Sequence, residues 1–296
     1  VRETKGRSVK HASPLPGAGW IAAGAITSDD YVAAPKPKMG LFIDDANMFY
    51  AQKKAGWRAD YRKLRDFLGA AFDVRFMNYH VVLPKQEDAA YQKTQSFLGK
   101  LKASYGDILT FKYKSLKYIF DRETKQTVKK GNVDSEILLD VLARFEELDV
   151  VAIMSGDSDY KALAEILLAK GKKVIFIGFE DNMAWELRQL RHVYLNRYRQ
   201  AVELGNSSTG LGTNKKAPET GVPLLSLLYG KDNLLSSGKD FVWARVASTE
   251  KINQEQVYDI EVEGTHNFVG NGIFAHNTYI NSAAITTSIK GLEIVQ

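Results

Sequence analysis

Between Met39 and Leu204 the chain alternates two hydrophobic rhythms. Gly40-Leu41-Phe42-Ile43 is a short apolar run of the kind a buried parallel strand gives, and further apolar runs recur at 74–83, 108–113, 150–154 and 173–177. Helical spacing fills the intervals at 61–71, 87–105, 134–148 and 158–169. In the third of these, Ile137, Leu138, Val141, Leu142 and Phe145 line one stripe suited to a sheet face. Strands alternating with crossover helices predict an α/β fold, a Rossmann-like parallel sheet flanked by helices. Lys117-Tyr118-Ile119-Phe120 and Gln126-Thr127-Val128, separated by charged turn residues, read as a small hairpin interrupting that pattern.

The flanks have a different texture. Residues 1–38 mix Gly, Ser, Ala and Pro without periodicity and end in Pro35-Lys36-Pro37-Lys38, which reads as a mobile leader with a stiff joint. The α/β core then occupies 39–204, and a Gly/Ser/Thr/Asn-rich linker covers 205–222. A β-type segment follows over 223–278. In it 256–262 alternates as a strand, and Asn271-Gly272 makes a tight turn before Ile273-Phe274-Ala275. Residues 279–296 form a tail.

Composition narrows the chemistry. With 296 residues and 45% hydrophobic content the chain can hold two modest domains. It has no cysteine, which excludes disulfides, thiolate metal sites and a cysteine nucleophile, and leaves the cytoplasm as a default location. No apolar run approaches the roughly 18 residues of a membrane span. A formal charge of +5 favours a polyanionic partner without establishing one.

Three motifs carry acids at strand ends or helix starts: Ile43-Asp44-Asp45-Ala46-Asn47, Lys130-Gly131-Asn132-Val133-Asp134, and Ser155-Gly156-Asp157-Ser158-Asp159. The carboxyl ends of parallel strands form the ligand crevice of an open sheet, so acids placed there converge although they are distant in sequence. Gathered carboxylates repel one another, and a hard cation such as Mg²⁺ or Mn²⁺ relieves that repulsion. Such an ion also polarises phosphate oxygens and activates water for phosphodiester hydrolysis. The plainer reading is that Asp134 and Asp157 cap the helices that follow them. Asp45, adjacent to Asp44 on a strand, should point to the opposite face, and Asp140 should be structural.

Taken together and in this order, the motifs resemble those of the NYN family of PIN-like nucleases, including its LabA-like members, over about 39–204. Asp44 and Asn47 match the family's Asp-x-x-Asn element, Lys130, Gly131 and Asp134 its second, and Ser155, Gly156, Asp157 and Asp159 its third, with Tyr160 in place of the common Phe. The resemblance implies that Asp44, Asp134 and Asp157 are metal ligands, Asp159 a fourth acid, and Asn47 and Ser155 polar helpers at the phosphate. The second element holds one residue more than the tighter Lys-Gly-Val-Asp form, so either Asp134 or Ser135 faces the metal.

Lys112, Lys114, Lys117, Lys125, Lys129 and Lys130 cluster before the second acidic motif, interleaved with Tyr113, Tyr118 and Phe120. Lysines on phosphates and rings under unstacked bases would suit single-stranded RNA. The alternative is that the lysines guard an edge hairpin while the rings pack inward. Arg188, Arg191, Arg197 and Arg199 read as a solvated helical face, and His80 and His192 as satisfied core or surface histidines.

Near the C-terminus, Val257 to Thr278 with its lead-in, about 236–278 in all, resembles the end of an intein, or Hint, domain. The matching positions include Asp259, His266, His276, Asn277 and Thr278, the set that would serve cyclisation of Asn277. The N-terminal splice blocks are missing from the sequence, so this segment reads as a processing-inert remnant. The whole therefore reads as a metal-dependent endoribonuclease acting on single-stranded RNA. Its rival is an RNA-binding or regulatory module of the same fold that does not cut, with a Hint remnant that retains Asn277 cleavage as an open alternative.

Overall fold

A computed structural model of the chain describes residues 31–121, 125–205, 224, 226, 234–237, 241–245, 267–270 and 273–276. The chain divides into two units, Lys36–Leu228 and a second made of Val1–Pro35 with Tyr229–Gln296. Strand β1 is Tyr31–Pro35, in the second unit. The larger unit then runs β2 (Lys38–Asp44), α1 (Asp45–Ala55), α2 (Tyr61–Gly69), β3 (Asp73–Leu83), α3 (Tyr91–Tyr105) and β4 (Thr110–Ser115). It continues through the hairpin β5 (Lys117–Asp121) and β6 (Gln126–Lys130), then α4 (Asp134–Arg144), β7 (Val150–Met154), α5 (Lys161–Ala169) and β8 (Lys173–Gly178). It closes with α6 (Trp185–Arg188), β9 (His192–Tyr194) and α7 (Arg199–Val202). The second unit adds β10 (Leu234–Ser237), β11 (Phe241–Arg245), β12 (Asn267–Gly270) and β13 (Ile273–His276).

Six strands form one parallel sheet in the order β4-β3-β2-β7-β8-β9. From β2 the chain winds outward through β3 to β4, then begins again at β7 and winds the other way through β8 to β9. The reversal falls between β2 and β7, and a parallel sheet opens a ligand crevice at the strand carboxyl ends where its winding reverses. All five residues of β7 are buried, as a strand covered on both faces requires. On one face Phe42, Val151, Ile153 and Phe176 share a core with Ile137 and Val141 of α4 and Leu163 and Leu167 of α5. On the other, Tyr79 meets Tyr61 of α2 edge-on, with ring centres 5.6 Å apart.

The α/β expectation holds, and its departures have local causes. Asp45 does not continue a strand: Asp44 is extended and accepts a hydrogen bond from the Asn47 N–H, so it caps α1 and the chain turns helical at Asp45. That helix buries only Met48 and Ala51, and so few apolar anchors leave a weak periodic signal. In α4, Ile137 and Val141 are buried, whereas Leu138 and Leu142 remain more than a third exposed. The four arginines do not share a helical face. Arg188 lies in α6 and donates to the Met183 and Glu180 carbonyls, while Arg199 opens α7 and pairs with Glu203 at 2.7 Å.

The leader expected over 1–38 contains a strand: β1 pairs antiparallel with β11, which also pairs with β10. The unit boundary therefore falls between Pro35 and Lys36 rather than after 38. β12 and β13 pair as a hairpin, with Gly270 opposite Ile273. Of the residues matched to a Hint domain, His276 ends β13, whereas Asp259, His266, Asn277 and Thr278 lie outside the described residues. Among the described residues no helix is long and apolar enough to cross a membrane.

Candidate active site

The crevice at the β2–β7 reversal is built from three chain segments. β2 ends at Asp44, which is 3% exposed. Its Oδ1 accepts from the Asn47 N–H at 3.1 Å, and its Oδ2 is reached by the Ser155 hydroxyl at 3.2 Å and the Tyr160 hydroxyl at 3.3 Å. Ser155 follows directly on β7 and is fully buried. The second motif brings in Asp134 as the first residue of α4, with Oδ1 3.1 Å from the same Tyr160 hydroxyl and Oδ2 bonded by the Asn132 amide. Ser135 is exposed, so Asp134 is the residue of that element that faces the crevice.

Asn47 ties the segments together. Its Oδ1 accepts from the Gly156 N–H at 2.9 Å and from the Asn182 side-chain amide at 2.8 Å. Gly156 has no alternative here, because a Cβ would lie 2.0 Å from the Asn182 carbonyl oxygen. The tight approach packs the segment after β7 against the 180–182 turn at the rim of the crevice. Gly131 is likewise pressed against Leu116 and Val82, where a Cβ would meet carbons at 2.5 and 2.8 Å. That contact seats the start of α4 against the end of β3.

The electrostatics follow from burial. Desolvation raises the Asp44 carboxyl above its ordinary value, with the nearby Asp134 adding to the rise. Asp134 is also raised, first by burial and then by the charges of Asp157 and Asp159, while the Tyr160 hydroxyl opposes the shift. Burial likewise holds the Tyr160 phenol protonated far above its usual range. Asp45, on the other side of the β2 end, accepts from the Tyr79 hydroxyl and is lifted by burial to about 6.

The four acids singled out from the sequence are thus not equivalent. Asp44 and Asp134 meet on one hydroxyl. Asp157 instead accepts from the Asp159 N–H at 3.1 Å and caps the short turn Ser158–Tyr160, while Asp159 is exposed. Among the described residues no three carboxylates or histidines stand together as a ready-made ligand set for one ion. Asp157 uses one oxygen to cap its own turn, and Asp159 is exposed, while the charges of both reach Asp134. Asp140 accepts from Asn78 at 2.7 Å, with the buried His80 Nε2 3.0 Å away.

The basic cluster is divided rather than gathered. Along β4, Lys112 and Lys114 align with His80 and Val82 of β3, and Phe111 and Tyr113 with Tyr79 and Val81, so lysines and rings occupy opposite faces. Lys114 is held by Glu136 at 2.6 Å and Lys129 by Asp88 at 2.7 Å. Lys112 and Lys117 are exposed. Lys130 pairs through its backbone with Lys117, and its side chain lies outside the described residues. Sequence reasoning gave Tyr160 no role of its own. The available signal was a hydroxyl on a ring in an apolar stretch, since a buried phenol needs a polar partner.

Against known proteins, residues 38–196 match the NYN domain family. The chain is 28% identical over 172 residues to the low amplitude and bright protein LabA of Synechococcus elongatus, spanning 56% of this chain and 88% of that protein. It is 30% identical over 77 residues to the replicative DNA helicase DnaB of a Nostoc species, covering 25% of this chain and 9% of that one. A solved protein of unknown function from Vibrio parahaemolyticus aligns over 57% of this chain and 97% of its own, at 21% identity and a TM-score of 0.42. The Hint resemblance of the C-terminal segment receives no support from these comparisons.

Proposed function

The chain belongs to the NYN domain family, and on that premise we propose that it is a divalent-metal-dependent endoribonuclease that hydrolyses phosphodiester bonds of single-stranded RNA. The observation that carries the reading is the meeting of Asp44 and Asp134 on the Tyr160 hydroxyl at the point where the sheet reverses its winding. Two carboxylates suit Mg²⁺ or Mn²⁺, because Mg²⁺ is commonly held by one or two carboxylates with waters and substrate phosphates completing its shell. Asp44 and Asp134 would hold the ion, which when bound supplies Lewis acidity and a water of lowered pKa.

The remaining work falls to the chain. Ser155 and the Asn47 N–H fix the orientation of the Asp44 carboxylate. Asn47, through Gly156 and Asn182, holds the rim rigid, so that a bound phosphate would meet a preformed crevice. Asp157 and Asp159 keep the entrance negative near Asp134. Exposed Lys112 and Lys117 offer phosphate contacts along the strand leading away from it.

One observation favours a second reading, an RNA-binding module that does not cut: Asp157 caps its own turn rather than bonding to the Tyr160 hydroxyl shared by Asp44 and Asp134. Incubation of the full chain with single-stranded RNA and Mg²⁺ or Mn²⁺ decides between them. Cleavage that needs the ion and disappears in Asp44→Asn and Asp134→Asn supports the nuclease. Binding without products supports the module. Neither binding nor cleavage overturns both.

A further inference from the structure

Tyr160 is the residue whose side chain reaches both acids of the crevice. Its ring is 1% exposed and belongs to the core beneath α4 and α5, so the hydroxyl is set by packing rather than by the acids themselves. Asp44 and Asp134 arrive on segments 90 residues apart in sequence, one at a strand end and one at a helix start. Two carboxylates brought this close repel, and a donor between them offsets part of that repulsion. The two acids depend on it unequally. Asp44 retains the Asn47 N–H and the Ser155 hydroxyl without it. Among the described residues, Asp134 retains only the side-chain amide of its near neighbour Asn132, on an exposed stretch.

We propose that Tyr160 is a positioning residue that fixes the spacing of Asp44 and Asp134, chiefly by anchoring Asp134, and so sets the affinity of the crevice for a divalent cation. The inference rests on the metal-binding reading given above. It concerns the position where this chain carries Tyr in place of the Phe common to the motif it resembles. A Phe there keeps the ring that fills the core and removes only the bridging atom.

The test is calorimetric titration of the metal-free full chain with Mn²⁺, comparing wild type, Tyr160→Phe and Tyr79→Phe. Tyr79 is the control because its buried hydroxyl binds Asp45 on the opposite side of β2. The expected result is an about tenfold weaker Mn²⁺ dissociation constant in Tyr160→Phe, in the range for groups that orient metal ligands, with Tyr79→Phe unchanged. An unchanged or tighter constant in Tyr160→Phe overturns the proposal, as does an equal weakening in both variants. Absence of Mn²⁺ binding by wild type overturns the metal reading itself, a separate and visible failure. A second measurement needs no variant: Mg²⁺ added to wild type should perturb tyrosine absorption in the ultraviolet, since the ion would arrive beside this phenol. Calorimetric binding with no such perturbation also overturns the proposal.

Discussion

Two regions of the larger unit looked functional in sequence, the acidic motifs and the lysine-rich approach to Asp134, and the fold treats them in opposite ways. The acids come from distant segments and converge, because each sits at a strand end or helix start on the side where a parallel sheet opens its crevice. The lysines are neighbours in sequence and diverge. Alternation along β4 sends Lys112 and Lys114 to one face and Phe111 and Tyr113 to the other, and local acids neutralise Lys114 and Lys129. Topology gathers residues across long separations more dependably than adjacency does within one strand.

The sharpest way to break that contrast is Asp44→Asn. The amide keeps size and the cap on α1 while removing charge. RNA cleavage should fall by more than the roughly hundredfold that changes around a metal's ligands produce, with the melting temperature held or raised because burial opposes the Asp44 charge. Cleavage rates near wild type would end the catalytic assignment. Asp45 tests the same strand end by pH. Its carboxyl is lifted from 3.8 to about 6, so between those values the native state binds more protons than the unfolded chain. Stability of the metal-free chain should therefore fall as pH rises through that window and level off above it. Asp45→Asn should exceed wild type by up to about 3 kcal/mol above pH 6 and converge with it toward pH 4. Parallel denaturation curves at all pH values would show that Asp45 carries no such cost.

The parallel sheet was legible because β7 is apolar throughout and β8 is apolar after Lys173, and the crevice because Asp44 and Ser155 directly end apolar runs. What escaped depended on interactions that a linear pattern does not contain. α1 begins where an acid caps its own helix, with few buried anchors to mark it. β9 is three residues long, too short for any period to show. The split between Asp134 and Asp157 was invisible as well, since both precede helical turns. Only the structure reveals that one reaches Tyr160 while the other accepts from Asp159. The arginines at 188 and 199 were misplaced on one face because the chain breaks helix between them to form β9.

Asp157→Asn refines the contrast inside the crevice itself. Asn caps a helical turn about as well as Asp, so the fold should be unaffected. If Asp157 acts only through its charge near Asp134, cleavage should drop about tenfold, the low end for residues outside the ligand set. A loss as large as that of Asp44→Asn would mean that Asp157 joins the ligands once an ion is bound.

The smallest effects belong to the lysines, and they separate exposed charges from paired ones. Binding of single-stranded RNA by the full chain, measured in Ca²⁺ or without metal to avoid cleavage, should weaken as salt rises. Its slope should drop by about 0.7 for each phosphate contact removed. Lys112→Ala and Lys117→Ala should each produce that drop for any RNA sequence, because both side chains are exposed on the path from β4 into the hairpin. Lys114→Ala and Lys129→Ala should change the slope less, since Glu136 and Asp88 already balance those charges within the protein. An equal drop in all four would mean that RNA displaces Glu136 and Asp88 and that the lysines act as one patch after all. No drop in Lys112→Ala and Lys117→Ala would send the RNA along another surface.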